Sequence, residues 1–377
     1  MKRKLRVGTV FSGIGAPEQA LKRLGIESDI IFACDNGDIT IDYDLDYEKK
    51  MVRSLNGPIE KKKYIDRLYR EKTRKTNFVK RSYLANYKMD EDYYFQDIRL
   101  LDGRDFKDQI DLLVGGSPCQ SFSTVGFQGG LEDTRGTLFY DYAHLIKDVN
   151  PKVFMYENVR GLMTHDGGKT WAIMKNVFDE LGYQIHEALL NASDYGIPQT
   201  RRRVFIVGFR NDIFLKNKFE FPKPISLKWT MQDFLLSNVK LGNFLSKNGK
   251  IEIRPEPGEI DSKYILTPKL KQYVMNTGTK TFSTKIEIDK PIARTLLSTM
   301  GNRHRAGIDN YMTDLGENKI RMLTEREAHR LMGFPDDYKI VVSRAQGYKQ
   351  AGNSIVVDVL IHILKQIYKT GVFDDLS

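Results

Sequence analysis

Two cysteines in 377 residues, Cys34 and Cys119, are too few and too far apart for a disulfide framework or a zinc-ligand spacing. No uninterrupted apolar run approaches the roughly 18–20 residues needed to cross a bilayer. The basic opening Met1-Lys2-Arg3-Lys4 is followed by a stretch too short and too rich in Gly, Ser and Arg6 to be the apolar part of a signal peptide. Internal repeats are missing. These absences exclude a disulfide-knit secreted scaffold, a structural zinc module and a helical membrane protein. They point to a reducing, cytoplasmic setting and a site without metal.

Positive charge is what the chain has in excess. The formal net charge is +10, against an ordinary background of 29% charged and 41% hydrophobic residues, and it suggests a polyanionic partner. Much of it is local. Residues 49–81 hold thirteen Lys and Arg against Glu60, Asp66 and Glu71, a surplus equal to that of the whole chain. Charge alone does not decide between a binding surface and a solvated helix face.

The first half alternates short apolar runs with amphipathic segments. Strands are expected at 5–11, 29–34, 110–114, 152–156 and 203–209, with helices from about Pro17 to Gly25 and over 138–149 and 170–181. That alternation predicts an α/β fold, a doubly wound, mostly parallel sheet of the Rossmann-like type. Residues 39–95 interrupt it with a basic, Tyr-rich insertion, expected to be partly helical. Past Phe221-Pro222-Lys223-Pro224 the pattern changes to short mixed segments, so 233–322 reads as a smaller, mixed or mostly β domain. Residues 323–344 would be a hinge, and 345–377 would rejoin residues 1–232, with one apolar helix over 353–368.

Candidate chemistry gathers at strand ends. Phe11-Ser12-Gly13-Ile14-Gly15 leaves the first strand as a nucleotide-type loop does, and Asp35, after the second strand, can accept from ribose hydroxyls. Glu18 stands where a dinucleotide fingerprint has its third glycine, which disfavours a nicotinamide cofactor and leaves S-adenosylmethionine, which has no pyrophosphate. Gly116-Ser117-Pro118-Cys119-Gln120 places a thiol on a polar turn off a buried strand, a good position for a nucleophile. Residues 121–136, rich in glycine, suit a loop that closes over a substrate. Glu157-Asn158-Val159 sets a carboxylate past another strand. In Gln199-Thr200-Arg201-Arg202-Arg203, Arg201 and Arg203 share one face and need anionic or carbonyl partners.

Together with Ala351-Gly352-Asn353-Ser354, these segments occur in an order that resembles the motif set of the C5 cytosine DNA methyltransferases. Asp133-Thr134-Arg135-Gly136-Thr137-Leu138-Phe139 and Asn191-Ala192-Ser193-Asp194-Tyr195-Gly196-Ile197-Pro198-Gln199 extend it. The compact length looks like the bacterial and phage stand-alone enzymes. The resemblance implies transfer of a methyl group from S-adenosylmethionine, leaving S-adenosylhomocysteine, to C5 of a cytosine flipped out of double-stranded DNA. It makes Cys119 the nucleophile at C6 and Glu157 the acid at N3. Arg201 would hold the base carbonyl, with Arg203 supporting Glu157. Gln120, Asn158 and Gln199 would support the substrate. Phe11, Gly13, Gly15, Asp35, Asp97, Ile98, Pro118, Leu138, Asn353 and Ser354 would hold the cofactor, with Asp97 and Ile98 at the adenine.

Two departures from the family pattern stand out. Asp35 is shorter than the Glu common at its place, and Asn36 follows where many members carry a large apolar residue. The 39–95 insertion is also longer than in the smallest members. Residues 233–322 take the place of the target-recognition region, which Arg294-Thr295-Leu296-Leu297-Ser298 resembles in its closing motif. A monomer and a cognate restriction endonuclease in the same cell are further expectations. A tRNA cytosine methyltransferase of the same family would share the motifs but tends to have a reduced recognition region. A catalytically silent DNA-binding relative would not need Cys119, Glu157 and Arg201 together.

Overall fold

Short apolar runs buried on both faces organise the first half of the chain. In the computed structural model, which describes residues 3–118, 138–237, 243–247, 250–254, 259–279, 282–316 and 318–376, the apolar runs pair into a seven-stranded sheet. Its strands are β1 (Leu5–Val10), β2 (Ser28–Cys34), β3 (Tyr94–Phe95), β4 (Leu112–Gly115), β5 (Val153–Val159), β6 (Tyr183–Asn191) and β7 (Arg202–Arg210). The order is β3-β2-β1-β4-β5-β7-β6. Pairing is parallel from β3 to β5, while β7 runs antiparallel to β5 and β6.

The helices are α1 (Ala16–Leu24), α2 (Leu45–Ser54), α3 (Gly57–Lys72), α4 (Phe78–Asn86), α5 (Leu138–Val149), α6 (Lys169–Glu180), α7 (Pro268–Val274), α8 (Glu325–Arg330), α9 (Arg344–Asn353) and α10 (Val357–Lys369). They cover both faces of the sheet. Val153 and Met155 of β5 join a core with Ala20 and Leu21 of α1 and Leu360 and Leu364 of α10. Phe154 and Tyr156 join a second core with Phe139 of α5, Met174 of α6 and Ile65 and Leu68 of α3. The doubly wound α/β arrangement follows.

Helix α1 starts with Pro17 in its first turn and stops at Gly25, whose φ of 69° lets the chain reverse. Its Arg23 is buried and grips Asp358 of α10 through two hydrogen bonds of 2.6 and 2.9 Å. That contact returns the end of the chain to the first βα unit.

The insertion is partly helical, with three helices, α2 to α4, and the polar edge strand β6, which has no clear apolar signature, was not expected. The helix expected over 353–368 forms as α10 but starts later, at Val357, since α9 ends at Asn353 and Ser354 is extended. Among the described residues of 233–322 lie a hairpin, β8 (Asn243–Lys247) with β9 (Lys250–Arg254), two short antiparallel pairs and α7. Their buried side chains, including Val274, Leu296 and Met312, belong to the same core as Leu5 and Val7. The core of this region is therefore continuous with that of the sheet. No helix among the described residues is long and apolar enough to cross a membrane.

Candidate active site

Strand order reverses between β1 and β4, and in an open α/β sheet the carboxyl edges at such a point form a crevice. A cleft of about 630 Å³ lies there, within the range that holds small-molecule ligands. Its walls bring together residues from five of the motif segments: Phe11 and Gly13, Pro118, Glu157 and Asn158, Arg201 and Arg203, Asn353 and Ser354.

At the cofactor end, β1 stops because Phe11 turns into the left-handed region at φ 52°, followed by Gly13 at 54° and Gly15 at 78°. A Cβ added at Gly13 would meet nothing nearer than the Phe11 carbonyl at 3.9 Å, so the space beside it is open. Asp35 closes this end. Its carboxylate accepts from the Gly13 and Gly37 amides, both at 2.8 Å. Burial raises its pKa to about 6 against the pull of those two donors.

Other expected cofactor residues are placed differently. Gly15 faces the ring of Tyr87, where a Cβ would come within 2.1 Å, and its carbonyl accepts from the Tyr87 hydroxyl at 2.7 Å. Its glycine is required by packing against α4. Asp97 is buried, and its carboxylate accepts from Tyr43 (2.6 Å), Tyr69 (2.9 Å) and both arms of Arg99 (2.9 and 2.7 Å). Two of these partners, Tyr43 and Tyr69, come from the insertion. Ile98 is in the second core, and Leu138 packs against it; none of the three is among the cleft's lining residues. Cys34 is buried beneath the loop, and burial pushes its thiol well up, which leaves it unreactive.

At the chemical end, Gly116 passes so close to β5 that a Cβ there would lie 2.5 Å from the Glu157 carbonyl and 3.2 Å from its carboxylate. Asn158 pins the same turn by donating to the Ser117 carbonyl (2.9 Å), and the Ser117 and Tyr156 hydroxyls share a 2.7 Å bond. Pro118 is exposed at the cleft wall. Cys119, Gln120 and the 121–136 loop lie outside the described residues. Glu157 has a largely buried side chain, and its pKa is raised by that burial, with Arg203 and Arg201 opposing. Arg203 meets it at 3.2 Å.

Arg201 and Arg203 do face the same side, but they are employed differently. Arg201 is buried and donates to the carbonyls of Leu296 (2.9 Å), Gly352 (2.8 Å) and Ser354 (2.8 Å). Burial and the charge of Arg203 pull its pKa down to about 9. It thereby fastens 294–298 to 351–354, where a Cβ at Gly352 would sit 2.3 Å from the backbone of Leu297 and Ser298. Gln199 is also wholly buried, joining the Leu331 carbonyl (2.8 Å) to the Leu296 amide (3.0 Å). It is a brace between segments and does not line the cleft.

Sequence reading missed a further wall. Gln346, Lys349 and Gln350 of α9 line the cleft, with Lys349 paired to Asp38 at 2.8 Å, and Val79 of α4 lies beside them. Helical spacing back from Asn353 (positions 346, 349, 350) was the available signal.

Replacing Arg201 with Ala strands three buried carbonyls, so the unfolding free energy in urea should fall by about 2–5 kcal/mol. Arg203→Ala leaves Glu157 free to protonate in place and should change it by about 1 kcal/mol or less. Equal losses would contradict the division of labour between the two arginines.

Similarity to known proteins shows the family. The C-5 cytosine-specific DNA methylase model matches residues 60–369. Type II methyltransferase M.HhaI of Haemophilus parahaemolyticus is 39% identical over 258 residues, 68% of this chain and 75% of its own length. Type II methyltransferase M.SsoII of Shigella sonnei is 35% identical over 301 residues, 78% of this chain and 72% of its own. Among solved structures, the S. pombe Dnmt2 methyltransferase aligns over 100% of both chains with a TM-score of 0.65 at 20% identity, a likeness of fold. With a family model spanning most of its length and relatives sharing over a third of the aligned residues, the chain belongs to the C-5 cytosine-specific DNA methylases, a family of enzymes.

Proposed function

We propose that this chain methylates C5 of a cytosine flipped out of duplex DNA, within a short specific sequence, using S-adenosylmethionine. The observation that carries the reading is the close approach of Gly116 to Glu157, since the turn leading into Cys119 and a buried, proton-retaining carboxyl then share one end of the cleft.

The chemistry follows from those positions. C5 of cytosine is a weak nucleophile inside an aromatic ring. The Cys119 thiolate adds to C6, and the ring electrons shift towards C5 and N3. Glu157, kept protonated more readily by burial, supplies a proton or hydrogen bond at N3 as charge gathers there. Bound S-adenosylmethionine supplies an electrophilic methyl group to C5. Loss of the C5 proton then expels the thiolate and restores the ring.

The hydrogen bonds of Arg201 favour moving the base-carbonyl role to Arg203. Both line the cleft, but Arg201 has its guanidinium ends on three main-chain carbonyls, whereas Arg203 stands beside Glu157. The residues fit S-adenosylmethionine. Asp35 offers a carboxylate with no cationic partner among the described residues, Gly13 leaves open space, and Asn353 and Ser354 stand opposite for the amino-acid end. The saturated Asp97 favours an adenine site closed by the insertion rather than read by that carboxylate. Residues 233–322 would read the bases, hinged through 323–344 to a catalytic body of 1–232 and 345–377. Duplex DNA is favoured over tRNA by the length of that region, and the relatives' Type II naming favours a cognate restriction endonuclease.

Bisulfite sequencing of DNA incubated with the protein and S-adenosylmethionine should show protected cytosines in one short sequence context. Protection that is absent, or present at no common sequence, would contradict the reading. The Asp35 carboxylate should also set the pH response of cofactor binding. It accepts above about pH 6 and loses that capacity when protonated below it. S-adenosylhomocysteine affinity measured by calorimetry should thus weaken roughly tenfold from pH 7 to 5, and Asp35→Asn should flatten the profile. A flat wild-type profile would contradict the assignment.

A further inference from the structure

The thirteen Lys and Arg of residues 49–81 fall into two sets in the structure. Five face acids: Lys49 meets Asp141 at 3.4 Å, Lys61 meets Asp102 and Asp105 at 2.8 Å each, and Lys80 meets Glu91 at 2.7 Å. Lys62 pairs with Asp66, and exposed Arg67 stands 4.0 Å from Glu71. The other eight are exposed, and none has an ion pair with a described residue. Five of those eight, Lys63, Arg70, Lys72, Arg74 and Lys75, lie on α3 and the connection that follows it.

Helical geometry explains the sorting. Ile65, Leu68 and Tyr69 form the buried face of α3, so Lys63, Arg67 and Arg70 project from the opposite one at intervals of four and three. The buried lysines are neutralised, whereas outward Lys63 and Arg70 have no ion pair with a described residue and Arg67 has only the exposed Glu71 at 4.0 Å. A run of like charges gains from a polyanion that screens them.

Position selects the polyanion. Tyr69, near the end of α3, reaches Asp97 just past β3, so this end of the helix lies at the carboxyl edge of the sheet, where the cleft opens. The chain leaves the helix at Thr73 in extended conformation, and Asn77 then donates to the Asp35 carbonyl at 2.8 Å. Arg74 and Lys75 are thus two or three residues from a bond to the cleft wall. From there the cations run back along α3 for about 10 Å between Arg70 and Lys63. Duplex DNA presents a charge about every 1.7 Å of its axis, so such a strip can face several phosphates.

We propose that Lys63, Arg67, Arg70 and Arg74 form a phosphate-binding strip that grips the backbone of the substrate duplex beside the catalytic cleft. This rests on DNA being the substrate. The strip reads no bases, and it adds affinity and salt sensitivity rather than sequence choice.

The test compares the salt dependence of binding to a mixed-sequence duplex of about 40 base pairs, with S-adenosylhomocysteine present. The variant carries Lys63→Gln, Arg67→Gln, Arg70→Gln and Arg74→Gln. A control of equal charge change carries Lys147→Gln, Lys218→Gln, Lys365→Gln and Lys369→Gln, exposed residues of other segments. For the strip variant, the slope of log K against log salt should become shallower by about 3.6, at roughly 0.9 for each of the four phosphates no longer neutralised. S-adenosylhomocysteine affinity and melting temperature should stay at wild-type values, and the control slope should change by less than about 1. An unchanged slope in the strip variant, or equal flattening in both variants, would overturn the proposal alone. Failure of the unmodified chain to bind duplex DNA would overturn the DNA reading and this proposal with it.

Discussion

One buried guanidinium holds the site together. Arg201 sits where the strand carrying Arg203, the 294–298 segment and the bend between α9 and α10 converge, and it donates to a carbonyl of Leu296, Gly352 and Ser354. A desolvated cation is tolerated there because main-chain oxygens surround it and Glu157 lies nearby. The same bonds explain why α9 ends there, since Ser354 must turn its carbonyl inward and so cannot continue it. They also place Asn353 and Ser354 at the cleft. The position of residues 294–298 against the sheet is therefore tied to the residue just before β7.

Around this clamp the cleft has two chemically distinct ends. One is a carboxylate, Asp35, satisfied by backbone amides and suited to neutral hydroxyls. The other pairs a buried carboxyl with a guanidinium, Glu157 with Arg203, beneath a turn too tight for any side chain at Gly116. In the proposed reaction, proton transfer to a base and retention of a sugar would thus fall at opposite ends of one crevice. The insertion contributes to the cofactor side by occupying Asp97 through Tyr43 and Tyr69 and by bracing Gly15 through Tyr87.

Much of this was legible in the sequence because chemistry at a strand end constrains residue type over four or five consecutive positions. Phe11, Gly13, Gly116 to Pro118, Glu157 and Asn158 all line the one cleft. The division of work between Arg201 and Arg203 was not legible. It depends on acceptors 95 to 153 residues away, which no local pattern encodes. Asp97 misled for the same reason, as its partners Tyr43 and Tyr69 belong to an insertion with no counterpart in the motif set. Edge strand β6 escaped because one side of it faces solvent, which interrupts the kind of apolar run that marked the central strands.

The central claim is that the turn pinned by Gly116 and Asn158 delivers a thiolate to C6 of a flipped cytosine. Incubating the protein and S-adenosylmethionine with its methylation site carrying 5-fluorocytosine tests this most directly, because fluorine at C5 prevents the final elimination. Mass spectrometry of the digested complex should find the modified nucleotide covalently attached to the peptide containing Cys119. Methylation with no adduct, or an adduct at any other residue, would contradict the account.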